Sequence, residues 1–325
     1  MVVKEINNIT LPIKEDLARF NIEFRQSLNS NVPIINTIIK YLLKNKGKQL
    51  RPILCLLSAK ICGKINNDSY TSASLIEMLH VATLIHDDVV DSSELRHGWP
   101  TINRIWKNKL SILVGDYIFS KALSNMVKIN SNEALSTLSS TAEKLSEGEI
   151  LQIERAIKRD MSEEVYYDMI RNKTASLFSA TCKIGAMTTT KSDHKINSLS
   201  MFGEYLGMAF QIKDDLFDLI GTIDKTGKPI GFDVKKNMLT LPYIYIISSS
   251  NKEQVKKIKS ILKNVKKTEL STVRSLIEEY GGISYAEKKM KEFSMMAIEE
   301  LTTFEKSDVK DSLISLVEYN LNRFH

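Results

Sequence analysis

The chain is poor in the residues that staple, break or anchor a fold. Its three cysteines, Cys55, Cys62 and Cys182, have no metal-site or disulfide spacing, so a reducing compartment is the plain reading and a cytoplasmic location is expected. Six prolines in 325 residues impose few helix breaks. No apolar run approaches the length needed to span a bilayer, and the N-terminal stretch, with Lys4, Glu5, Lys14, Glu15 and Asp16, lacks the apolar core of a signal peptide. A fixed-period repeat is absent, which excludes a solenoid, and so is the Walker glycine-rich spacing, which argues against a nucleotide P-loop. No convincing alternating strand is found; the nearest, Tyr243–Ile247, also continues a helical pattern after Pro242. The net charge of +6 comes from 45 basic and 39 acidic residues spread along the chain, and the Lys252–Lys267 cluster reads as a solvated helix face, so no nucleic-acid partner is expected.

What remains is ample apolar content, 43%, in helical periodicity. Patterns recur at about 12–28, 32–45, 48–62, 70–96, 108–128, 132–158, 162–188, 194–221, 238–265, 267–280, 284–305 and 309–323, with short Gly, Pro, Asn or Ser breaks between them. An all-α fold with a single domain over 1–325 is expected.

Two stretches carry the chemistry. In Glu77–Asp91 an apolar helix ends in Asp87, Asp88 and Asp91. At about 100° per residue, His80, Asp87 and Asp91 fall close to one line, with Thr83 and Leu84 beside it. The second stretch is Gly207–Asp218, in which Gly207, Gln211, Asp214 and Asp218 share a line and Asp214, Asp215 and Asp218 close the helix. Either acidic end alone reads as a solvated helix terminus. Two in the same phase on apolar helices imply that up to six carboxylates face one pocket, a charge that only hard cations can neutralise. Oxygen-only ligands favour Mg²⁺, which completes its shell with substrate phosphates, so the implied ligand is a diphosphate or polyphosphate.

Cations to hold such phosphates are present. Lys48 and Arg51 open a helix in Gly47-Lys48-Gln49-Leu50-Arg51-Pro52; Arg96 follows the first cluster; Lys173 lies in Asn172-Lys173-Thr174, which interrupts a helical pattern; Lys228 lies in the loop Gly227–Asp233.

Taken in order, Gly47-Lys48-x-x-Arg51-Pro52, both aspartate motifs, Lys173-Thr174, Phe210-Gln211, Gly227-Lys228 and the terminal Tyr319-x-x-x-Arg323 resemble the trans-isoprenyl diphosphate synthases, the polyprenyl synthetase family, over nearly the whole chain. The resemblance implies a bundle of about 12–14 mostly antiparallel helices around a deep cavity, a homodimer, and three Mg²⁺ ions between the clusters, held by Asp87, Asp91, Asp214 and Asp218. It further implies that Lys48, Arg51 and His80 hold isopentenyl diphosphate, that Arg96, His97, Lys173 and Lys228 surround the allylic diphosphate, and that Thr174 and Gln211 sit near the reacting carbons. Asp88 and Asp215 complete the two catalytic motifs. The expected reaction ionises the allylic diphosphate and joins its carbocation to the isopentenyl double bond, in a site that excludes water.

Product length is expected to follow cavity depth below Asp87. Thr83 lies about 6 Å down the same helix face. By resemblance, short-chain members carry bulky aromatics at the positions held here by Ala82 and Thr83. A product longer than C20 is therefore expected, with Phe119 or Met126 as the floor.

Two departures stand out. The family commonly shows Arg-Arg-Gly where this chain has Arg96-His97-Gly98, and a lysine where it has Met238, with Lys235 and Lys236 nearby. Both remove cationic character. They leave room for a weakly active or non-catalytic subunit of a heteromeric synthase, against which the intact acidic clusters argue. A class I terpene cyclase is the third class considered, but its second metal motif normally mixes Asn, Ser or Thr with acids.

Overall fold

The computed structural model describes residues 2–45, 47–96, 98–129, 131–220, 238–251, 253, 255 and 270–322. Fourteen α-helices lie among them: α1 (Val2–Ile9), α2 (Lys14–Ser27), α3 (Pro33–Lys44), α4 (Leu50–Cys62), α5 (Asn67–Val90), α6 (Ile102–Lys128), α7 (Asn132–Lys158), α8 (Glu163–Ile170), α9 (Ser176–Met187), α10 (Asp193–Ile220), α11 (Leu241–Ser249), α12 (Leu270–Glu279), α13 (Gly282–Glu300) and α14 (Asp308–Asn322). The all-α expectation holds.

Local signals account for many of the boundaries. Asn66 caps α5 by accepting from Ser69 N, while the Ser69 hydroxyl reaches back to Asn66 N, a reciprocal capping box. Ser131 and Ser162 cap α7 and α8, and Pro33 and Pro242 sit in the first turns of α3 and α11, where a missing N–H is harmless. The predicted start at 108 coincides with a break inside α6, where Lys107 takes φ 68°.

Three expectations require correction. The pattern read as one helix over 70–96 ends at Val90: Ser92 turns left-handed at φ 52°, and the chain folds into a hairpin in which β1 (Leu95–Arg96) pairs antiparallel with β2 (Trp99–Pro100) around Gly98 at φ 79°. Two-residue strands are too short for alternation to reveal, and they escaped the sequence reading. The pattern at 162–188 is divided by a π-helical turn, Arg171–Ala175, at the place where Asn172-Lys173-Thr174 interrupts the periodicity. A further helix, α1, precedes the first predicted one. Tyr243–Ile247 falls within α11, as the helical reading of that stretch requires.

The core is built around α4, α5, α9 and α10. The α9 helix packs on α4, α5 and α10, and α6 lies along α5. Close contact with the π turn depends on a missing side chain, since a Cβ at Gly207 of α10 would lie 2.6 Å from the Ala175 Cα. This layering turns the C-terminal turns of α5 and α10, the N-terminus of α4 and the π turn towards one region.

Candidate active site

The three acids of the first cluster do not share one fate. Asp87 is half-buried, and burial with Glu149 and Asp91 nearby pushes its carboxyl up to about 6, against the pull of Lys173 and Arg96. Asp88, about 100° round the helix, is buried and is gripped by Arg96, whose Nε lies 3.1 Å from both carboxylate oxygens and whose Nη2 lies 2.8 Å from Oδ1. Asp88 thereby ties the hairpin to the end of α5.

The second cluster divides in the same way. Asp215 is buried and accepts from Tyr166 Oη at 2.6 Å and Gln211 Nε2 at 2.7 Å, while Thr174 Oγ1 donates to Gln211 Oε1 at 2.6 Å. Burial raises the Asp215 carboxyl to about 7; Asp214 and Asp218 add to the rise, and the two hydrogen bonds oppose it. Asp214 and Asp218 are half-buried. With Asp88 and Asp215 turned to their own partners, the expected convergence of six carboxylates is not what the fold builds. Among the described residues no group of three or more His, Cys, Asp or Glu is placed to hold a metal on its own.

At the start of α4, Lys48 and Arg51 are held by aromatic and imidazole partners. The Arg51 guanidinium lies 4.8 Å over the Phe178 ring, and Nη1 donates to His80 Nε2 at 2.9 Å. Arginine has only donors, so that imidazole nitrogen is the acceptor and His80 is neutral. Burial, together with the charges of Arg51 and Arg96, holds the His80 pKa well below its usual value. Burial also draws Arg51 down to about 10, while the nearby carboxylates of Glu77 and Asp214 oppose that fall. Lys48 bonds the Tyr319 hydroxyl, with its ammonium 5.0 Å from that ring.

Lys173 projects from the π turn into an ion pair with Glu149, and its Nζ donates to Gln152 Oε1 at 2.8 Å. Gly148 makes room for it, because a Cβ there would lie 2.5 Å from the Lys173 backbone nitrogen. Glu149, Gln152 and Tyr166 were missed by the sequence reading. Gly148-Glu149-x-x-Gln152, a glycine followed by two polar side chains one turn apart on α7, is the signal available for the first two. His97, Lys228, Lys235, Lys236 and Arg323 lie outside the described residues.

Ala82 is buried and Thr83 half-buried, its hydroxyl donating to His80 O at 2.9 Å. Farther from Asp87 along α5 opens a cavity of about 220 Å³, lined by Leu75, Leu79, Phe119, Ala122, Leu123, Met126, Leu138, Ser139 and Ala142. Phe119 and Met126 line its wall; Ala82 and Thr83 do not.

The family description "Polyprenyl synthetase" matches residues 32–280. This chain belongs to the polyprenyl synthetase family. It is 32% identical over 324 residues to the all-trans-nonaprenyl-diphosphate synthase (geranyl-diphosphate specific) of Rhodobacter capsulatus, covering 99% of each chain. Identity to the octaprenyl diphosphate synthase of Escherichia coli is also 32% over 324 residues, with 99% of each chain covered. A polyprenyl synthase from Caulobacter crescentus CB15, solved in complex with calcium and isoprenyl diphosphate, superposes with a TM-score of 0.90 at 31% identity and 98% coverage of both chains. Members of the family are Mg²⁺-dependent prenyltransferases, and this chain has the all-α fold of its solved relatives. No described helix is long and apolar enough to cross a membrane.

Proposed function

We propose that this synthetase condenses isopentenyl diphosphate head-to-tail with geranyl, farnesyl or a longer allylic diphosphate to give a trans polyprenyl diphosphate longer than C20. The observation that carries the chain length is the cavity of about 220 Å³ that begins on α5 two turns below Asp87 and is walled by α6 and α7.

The donor set suits Mg²⁺. Asp87, Asp91, Asp214 and Asp218 offer oxygen alone, and the raised Asp87 carboxyl is a half-buried acid that a hard cation would relieve. Three ions shared with the diphosphate would balance these four residues, and when bound they supply electrostatic stabilisation of the departing pyrophosphate. Arg96 spends Nε and Nη2 on Asp88, which leaves Nη1 to meet the allylic diphosphate together with Lys173; the family resemblance assigns His97 and Lys228 to the same diphosphate. Arg51, held by neutral His80, and Lys48 take the isopentenyl diphosphate. We assign the bonded pair Thr174 and Gln211 to the neighbourhood of the reacting carbons. Apolar side chains of α5 and α10 keep water from the cation. A homodimer fits the exposed apolar stripe of Ile112, Leu113, Leu123 and Val127 on α6 and Ile150, Ile153 and Ile157 on α7.

The test is direct. Purified protein given Mg²⁺, isopentenyl diphosphate and geranyl or farnesyl diphosphate is expected to yield diphosphates longer than C20, and none once the metal is chelated. Turnover only with a second chain would reassign it as a subunit, and hydrocarbon release as a cyclase.

A further inference from the structure

Resting on that reading, we infer that Gln152 is a positioning residue for Lys173, and that Met238 acts through it by fixing which end of the Gln152 carboxamide meets the ammonium. Lys173 has two acceptors on α7, the Glu149 carboxylate and Gln152 Oε1 at 2.8 Å. An ammonium paired with a half-buried carboxylate alone would stay with it, because leaving strands a charge. A neutral amide oxygen one turn farther along the helix shares the ammonium and holds it in position for the allylic diphosphate.

The amide has a polarity, and reversed it would set two donors against each other. Its Nε2 end is occupied: it donates to Met238 Sδ at 3.0 Å, and this contact keeps Oε1 towards Lys173. The chain Met238–Gln152–Lys173–Glu149 therefore crosses from the segment before α11, through α7, to the π turn, and it assigns Met238 a task that differs from that of the lysine usual at this position. Asp87, which responds to both Glu149 and Lys173, lies at its end.

The experiment is steady-state kinetics with separate KM values for farnesyl diphosphate and isopentenyl diphosphate, plus melting temperature, for Gln152→Leu, Gln152→Glu, Met238→Leu and the double variants. Gln152→Leu is expected to raise KM for farnesyl diphosphate about tenfold, the scale of one hydrogen bond to a charged group, and to leave KM for isopentenyl diphosphate within about twofold. Met238→Leu is expected to act in the same direction but less strongly, to add nothing to Gln152→Leu, and to be silent in a Gln152→Glu background, where both oxygens accept. Both KM values rising together with a lost melting temperature, or a Met238→Leu effect that adds to Gln152→Leu, would overturn the inference. Wild-type protein that elongates nothing would instead refute the synthase reading; wild-type turnover with an unmoved farnesyl KM in Gln152→Leu would refute the inference alone.

Discussion

At the scale of single residues, neighbours in one motif do different work because a helix turns about 100° per step. Asp88 and Asp215 face partners of their own, Arg96 in one case and Tyr166 with Gln211 in the other, while on Asp87 burial and the charges of Glu149 and Asp91 outweigh the pull of Lys173 and Arg96. A carboxyl raised to about 6 favours the metal-free fold while protonated. Its contribution to stability is present below pH 4 and is lost as pH rises through 6; Asp215, raised to about 7, acts in the same direction. Metal-free protein is thus expected to lose melting temperature between pH 5 and pH 7, and Mg²⁺ with pyrophosphate to restore it. Because the ion needs ionised Asp87, Mg²⁺ affinity measured calorimetrically should fall about fourfold from pH 7.5 to pH 5.5, and Asp87→Asn should abolish that dependence. Asn320 gives a prediction of the opposite kind. Its carboxamide is buried in α14 with neither polar atom hydrogen-bonded, against a small void lined by Leu50, Leu54, Phe178, Leu206, Phe210, Leu316 and Tyr319. An unsatisfied buried amide costs about 1–3 kcal/mol, so Asn320→Leu should raise the denaturation midpoint; a lower midpoint would show that the amide has a partner in solution.

Among elements, the sequence was most informative where a helix carries its own function. That His80 shares a face with Asp87 and Asp91, and Gln211 with Asp214 and Asp218, could be read from periodicity, because spacing along one helix fixes which side chains share a face; the role proposed for His80 rests on the family resemblance. The pairings between helices were not legible: nothing in the spacing joins Arg96 to Asp88, or Lys173 to Glu149, and these contacts decide what each charge does. The π turn lies between the two cases. Its sequence trace was a broken period at Asn172-Lys173-Thr174, but its meaning depends on α7, where Gly148 admits the turn's backbone. Gly148→Ala is expected to force α7 and the π turn apart, costing about 1–3 kcal/mol in chemical denaturation, and to lower kcat more than Gly203→Ala or Gly185→Ala, which crowd helices away from Lys173. Equal losses at all three glycines would mean that packing alone accounts for the effect.

Over the whole molecule, α5 is an axis with the acidic cluster at one end and a cavity farther along. Leu79 and Leu75, about 12 Å and 18 Å from Asp87 at 1.5 Å per residue, line the cavity, and Phe119 and Met126 of α6 face them across it. Small Ala82 and Thr83 lie along α5 between the acids and that space, and on the proposed function this stretch is the neck leading to it. Bulk added at the neck should therefore act differently from bulk removed at the wall. Ala82→Phe with Thr83→Phe is expected to stop elongation early and shift the chromatographed products by several five-carbon units, because the chain meets an obstacle before it reaches the cavity. Phe119 is half-buried, so Phe119→Ala should cost less than the about 3–5 kcal/mol of a fully buried phenylalanine, and it should lengthen the product distribution. The two effects should also be ordered: with the neck blocked, Phe119→Ala should no longer change product length, since the growing chain never arrives there. Product lengths that respond to Phe119→Ala with the neck still blocked would mean that the tail takes another route out of the site.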